Sequence, residues 1–179
     1  MTAVPGAPAI ESLSADGLEG RLGDLGGLLH ACVHAGASIG FILPFSADEA
    51  ARFWHRRVLP GLRDGTRVVL TARLETRIVG TVQLGTDTPP NQPHRAEVAK
   101  LLVHPDCRRA GIARALMAAV EEEARRRGRS LLTLDTRTGD AAEPLYASLG
   151  YATAGVIPGY CRDPFRDVLD STTVMYKAI

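Results

Sequence analysis

The densest chemistry in this chain lies in Leu101-Leu102-Val103-His104-Pro105-Asp106-Cys107-Arg108-Arg109-Ala110-Gly111-Ile112-Ala113. An apolar strand ends, a short polar turn follows, and a helix opens with small residues at Gly111 and Ala113. Free N–H groups and the positive dipole end make a helix start an anion site, and small residues let a phosphate approach the backbone. Arg108 and Arg109 add matching charge. The segment has neither the Gly-Lys-Ser/Thr of a Walker A loop nor a GxGxxG fingerprint, and a plain strand–loop–helix turn has the same spacing. Two carboxylates accompany it. Glu97 sits in the strand Ala96 to Val103, otherwise largely apolar apart from Lys100, where partial desolvation would make it a useful base. Alternatively it faces solvent or partners Lys100 or Arg95. Asp135 lies at the C-terminal end of the strand Leu131 to Thr136, where open sheets place ligands, or else caps the following turn.

The elements that position these groups follow from periodicity. Ile10 to Leu13 reads as a short strand. Leu18, Leu22, Leu25, Leu28, Leu29 and Val33 recur at helical spacing between Asp16 and Ala35, although Gly23, Gly26 and Gly27 weaken that helix. Ser46 and Glu49 form a capping box that opens a helix toward Leu59. Arg67 to Leu74 and Arg77 to Leu84 read as a hairpin around Glu75-Thr76, and the proline-rich stretch Thr86 to His94 as a loop. Gly111 to Arg127 is the clearest helix, with Ile112, Leu116 and Val120 in its apolar stripe, i,i+4 Glu–Arg pairs opposite, and Gly128 as its stop. A short helix over Asp140 to Leu149 and a strand over Thr172 to Ala178 complete one α/β domain at residues 10–179, after a flexible lead-in at 1–9.

Composition narrows the function. The chain has 179 residues, 45% hydrophobic and 23% charged, which fits a soluble globular domain. Its net charge of +1 and 5% aromatic content offer neither a basic face nor a stacking platform for nucleic acid. No apolar run approaches the roughly 20 residues of a membrane span. Three cysteines, Cys32, Cys107 and Cys161, give no disulfide framework and point to a reducing, cytoplasmic setting. His30 and His34 share a helix face, but no Glu follows His30 and no third ligand is near, so no metal site is expected. Among the basic residues only Lys100 and Lys177 are Lys.

Arg108-x-x-Gly111-x-Ala113 after a strand resembles the pyrophosphate loop of the GNAT (Gcn5-related) N-acetyltransferases, and Leu145-Tyr146-Ala147-Ser148-Leu149-Gly150-Tyr151 resembles that family's later Leu-Tyr-x-x-x-Gly-Phe element. His94 to Leu101, Leu134-Asp135-Thr136 and Gly159-Tyr160-Cys161 look similar to tabtoxin-resistance acetyltransferases. The resemblance implies a mixed, mostly antiparallel sheet flanked by helices, with splayed parallel central strands that admit acetyl-CoA as cosubstrate. It implies an acetyl transfer by direct attack of a small-molecule amine, such as an amino acid-like metabolite, antibiotic or toxin. Acetylation of a protein N-terminus or lysine, or a catalytically silent acyl-CoA-binding module, are the alternatives.

The same resemblance assigns roles. Main-chain groups of Leu101, Leu102 and Val103 would bind the pantetheine arm and the oxyanion. Arg108, Arg109, Ala110, Gly111, Ile112 and Ala113 would cradle the pyrophosphate. Tyr146 would protonate the leaving thiolate. Gly139 stands where the family often has Asn, with Asp140 beside it as the substitute contact. Glu97 and Asp135 would bind the acceptor and relay its proton, beside an acceptor wall of Phe41 and Phe45, with Tyr160 as a further contact. No metal takes part, and the chain is expected to act as a monomer or homodimer.

Overall fold

The computed structural model describes residues 7–179. In chain order it holds β1 (Ala9–Ser12), α1 (Ala15–Glu19), α2 (Leu22–His34), α3 (Ala47–Phe53), a π-helical turn (Trp54–Val58), α4 (Leu59–Arg63), β2 (Arg67–Leu74), β3 (Arg77–Gly85), β4 (Arg95–Val103), α5 (Ile112–Arg126), β5 (Leu131–Arg137), α6 (Ala142–Ser148), β6 (Ala152–Arg162) and β7 (Leu169–Ala178). The strands form one seven-stranded sheet in the order β1-β2-β3-β4-β5-β7-β6. Every neighbouring pair is antiparallel except β4 and β5.

Strand alternation gives the sheet two buried faces. Val68, Leu70, Val82, Val98, Leu132 and Leu134 point to one side, where Leu116, Met117, Val120 and Ala124 of α5 cover them. Val69 and Ile78 point to the other side, against Leu18, Leu25, Leu29, Trp54 and Val58 of the N-terminal helices. Trp54 Nε1 donates to the Leu25 carbonyl at 2.9 Å, which fixes the π-helical turn against α2. Gly26, a weak point in the periodicity, has a packing reason: a Cβ there would lie 3.1 Å from the Ala51 backbone N.

Several sequence expectations change. The helix expected from Asp16 to Ala35 is two helices, broken at Gly20 and Arg21. Helix α3 begins with the expected capping box, then continues through the π-helical turn into α4. Strand β6 had no sequence expectation: it carries Gly155, Pro158 and Gly159 and is exposed along nearly its whole length, so no alternation marks it. The last strand starts at Leu169 rather than Thr172. Of the expected lead-in, residues 1–6 lie outside the described residues, and Ala9 already belongs to β1.

Candidate active site

The parallel strands β4 and β5 pair over three residues only: Arg95 with Leu131, Ala96 with Leu132 and Glu97 with Thr133. Beyond Glu97 they part, and a V-shaped gap opens toward their C-terminal ends. On its other edge β4 stays paired with β3, but with an irregularity. Gln83 faces Ala99 and Thr81 faces Leu102, so Val82 alone opposes Lys100 and Leu101. Lys100 takes a φ of +52°, a left-handed conformation rare for a side-chain-bearing residue. A bulge of this kind bends a strand and re-aims a side chain.

At the end of β4 the chain turns through Pro105–Cys107 and enters α5. Arg109 and Gly111 both have positive φ, +65° and +79°. Gly111 is the N-cap and supplies no side-chain cap, and a Cβ there would meet nothing within 4 Å. The first-turn N–H groups of α5 therefore face open space at a dipole end, which suits an anion. Arg108, Arg109 and Ala110 are exposed beside it, while the Ile112 side chain is buried against the sheet. Arg108 Nε donates to the Val103 carbonyl at 3.4 Å, and Cys32 Sγ donates to the same oxygen at 3.5 Å. That oxygen is occupied, so free main-chain groups in this stretch lie nearer the bulge.

Tyr146 of α6 is 7% exposed and stacks toward Tyr151, with ring centroids 5.9 Å apart. Burial raises its hydroxyl pKa, and the nearby charges of Asp135 and Asp140 raise it further. The phenol therefore keeps its proton. Its oxygen has no hydrogen-bond partner among the described residues.

The two carboxylates lie on the sheet face opposite α5. Glu97 is exposed, so the partial desolvation expected for it is absent. Asp135 is exposed as well, accepts a hydrogen bond from Thr172 Oγ1 at 3.2 Å, and acts electrostatically on both Tyr146 and Lys100. Asp140 is engaged elsewhere: it takes an ion pair with Arg137 at 3.3 Å and caps the Ala141 N–H at 2.6 Å. Phe41 stacks on Phe45 at 4.6 Å and meets Phe53 edge-on at 5.1 Å, and Lys100 Nζ sits 5.9 Å from the Phe53 ring centroid. Tyr160 is 55% exposed on β6. His34 Nε2 bonds the Phe45 carbonyl at 2.9 Å, a packing contact. Among the described residues no group of three or more His, Cys, Asp or Glu is placed to hold a metal ion.

One group that reading the residues for their own chemistry passed over is Lys100. Its signal was present in the sequence: in a chain whose basic residues are otherwise Arg, Lys is kept at two positions, 100 and 177. The second is half-buried and pairs with Glu121 Oε2 at 2.6 Å. The first is the bulge residue of β4.

A sheet that splits between two parallel strands, with an open helix N-terminus at the mouth of the split, is the frame of an acetyltransferase. Residues 37–151 match the Acetyltransferase (GNAT) family, and the chain belongs to it. An uncharacterized N-acetyltransferase from the hisH-hisA intergenic region of Azospirillum brasilense is 34% identical over 140 residues, 75% of this chain and 80% of that one. The ribosomal-protein-alanine N-acetyltransferase of Brucella melitensis superposes with a TM-score of 0.76 at 23% identity, covering 96% of this chain and 99% of its own. The putative acetyltransferase yncA of Salmonella typhimurium, solved with acetyl-CoA, superposes with a TM-score of 0.74 at 20% identity, over 97% and 94% of the two chains. These structures share the fold. The protein is thus a GNAT-type acetyltransferase that acts with acetyl-CoA.

Proposed function

We propose that the chain transfers the acetyl group of acetyl-CoA to the amine of a small molecule, of the amino acid-like metabolite, antibiotic or toxin class. The observation that carries the size of the acceptor is the closure of its side of the gap. The loop between α2 and α3 is tied to the C-terminal arm at two points and to the end of β5 at a third. Leu43 N donates to the Pro164 carbonyl at 3.1 Å, Ser38 Oγ and Cys161 Sγ are 3.6 Å apart, and Arg137 Nη2 donates to the Gly36 carbonyl at 3.2 Å. Such a wall favours a compact acceptor over an extended polypeptide.

In this reading the α5 N-terminus with Arg108 and Arg109 holds the pyrophosphate, and main-chain groups at Leu101 and Leu102 hold the arm and the oxyanion. Asp135 and Glu97 attract the acceptor's ammonium. After loss of a proton the amine nitrogen attacks the thioester carbonyl, the C–S bond breaks, and Tyr146 supplies a proton to the departing sulfur. A panel of small amines and N-terminal peptides, read as free thiol released from acetyl-CoA, tests the proposal. Saturable turnover with a small amine and none with peptides is expected; turnover confined to peptides selects a polypeptide acceptor.

A further inference from the structure

We propose that Lys100 is the general base of the transfer, its Nζ taking the first proton from the acceptor's ammonium. The inference rests on the small-amine reading above and goes beyond it. The exposure of Glu97 and Asp135 suits them to attract a cation but leaves neither desolvated as a strong base needs to be. Lys100 is half-buried. The bulge and its positive φ turn the residue out of strand geometry, at the point where β4 leaves β5. Its Nζ lies against the Phe53 ring and close to Gly40, and it has neither an ion pair nor a hydrogen bond among the described residues. A strained backbone position held at the mouth of a site is a functional signal.

An amine half-buried without an ion-pair partner gives up its proton more readily, although the Phe53 ring face favours the cation. Burial lowers the pKa of Lys100; Asp135 on β5 opposes this, Arg67 on β2 adds to it, and Glu97 on β4 opposes it. The elements packed on the other side contribute Phe53 and Gly40, which carry no charge. An acceptor ammonium drawn in by Asp135 and Glu97 would set a second cation beside Nζ, which favours the neutral form further. Arg could not serve here, because a guanidinium does not deprotonate in proteins.

The protons balance as follows. Neutral Nζ takes one proton from the acceptor's ammonium, and the free amine forms the new N–C bond. As the C–S bond breaks, the sulfur receives a proton from Tyr146, which recovers one from the nitrogen as the amide forms. The products are the amide, the free thiol of coenzyme A, and one proton passed from Lys100 to water.

Two measurements test this. The chain has only two lysines, so ¹³Cε-lysine labelling gives two NMR signals, assigned with Lys177→Arg. Lys100 is expected to titrate below the ordinary lysine value, and titration at or above that value overturns the proposal. The second measurement compares Lys100→Arg and Lys100→Met, with folding checked by circular dichroism and acetyl-CoA binding by calorimetry. With propylamine, protonated at neutral pH, both variants should lose about 10²–10⁴-fold in kcat and the rising limb of the pH profile. With methoxyamine, uncharged at neutral pH, Lys100→Arg should keep its turnover. If Lys100→Arg keeps its turnover and its pH limb with propylamine, a permanently charged side chain suffices at this position and the proposal is overturned. Should Lys100→Met fail to fold, Lys100→Arg decides alone. If wild type acetylates no small amine, the small-amine reading fails, and the titration still decides whether Lys100 can be neutral.

Discussion

The turn before α5 and the wall facing Asp135 handle charge by different means. At the turn the charge-binding groups are main-chain N–H donors, aimed by two positive φ angles and a helix dipole, with Arg108 and Arg109 in support. At the wall they are side chains from distant segments: Glu97 and Lys100 from β4, Asp135 from β5 and Phe53 from α3. A backbone site is set by local conformation, so one residue can close it. A side-chain site is set by packing of the whole domain, so its members act through one another. The two halves should therefore fail differently.

The largest effect is expected at the turn. Gly111→Glu forces a side chain into φ of +79°, which costs on the order of 1–2 kcal/mol, and adds a negative charge where phosphates would approach. Acetyl-CoA affinity should fall by roughly 100-fold or more in calorimetry. The fold should survive, because a Cβ there meets nothing within 4 Å. Unchanged affinity in a folded variant would remove the backbone account of this half.

Next comes Tyr146→Phe, which keeps the buried ring and removes a hydroxyl that bonds no described residue. Melting temperature should hold while kcat falls by about 10²–10⁴-fold. A near-normal kcat, with chemistry shown to be rate-limiting, would reduce Tyr146 to a packing residue.

The carboxylates sharpen the contrast. Glu97→Gln and Asp135→Asn should each lower kcat/KM for the amine by roughly ten-fold, the scale of one hydrogen bond to a charged group, without changing acetyl-CoA affinity. Since both serve one cation, the double variant should lose less than the product of the single losses. Multiplicative losses would show two independent sites.

The smallest effect is expected at the edge of the wall. Asp163 accepts from the N–H groups of Phe165 and Arg166 and pairs with Arg166 at 2.9 Å and Arg137 at 3.5 Å. Its bond to Arg166, followed by the Phe165 N–H, holds its carboxyl well below the usual carboxylate range. A depressed native pKa means that the unfolded chain binds more protons in that range, so stability rises with pH there. The contribution is present above about pH 4 and fades below it. Asp163→Asn should therefore melt a few degrees lower than wild type at pH 7, with the gap closing in acid. It should also raise KM for the amine modestly while leaving acetyl-CoA binding alone.

The same division explains what could be read from the sequence. The hairpin, β4, α5 and the capping box at Ser46 announce themselves through local pattern, and so does the Arg108 to Ala113 turn, because its function is a property of consecutive residues. Strand β6 does not, since an exposed edge strand with two glycines and a proline carries no hydrophobic period. Nor does the setting of Glu97. Its neighbours in sequence are apolar because they face α5, while Glu97 itself points to the gap and stays exposed. The position of Lys100 depends on a bulge one residue long, which shifts the face of everything after it and leaves no mark in composition.

The three-residue pairing of β4 with β5 has a consequence for how the whole domain holds together. A sheet joined at its centre by so short a seam behaves as two blades on a hinge, and the facing amides beyond Glu97 lack a strand partner. Whatever fills that wedge is a structural member as well as a reactant. Acetyl-CoA should therefore raise the melting temperature in a concentration-dependent way, by mass action on the folded state. It should also slow amide hydrogen exchange along 98–103 and 134–137 more than anywhere else in the sheet. The free enzyme would then be the softer form, and each turnover a cycle of stiffening and release.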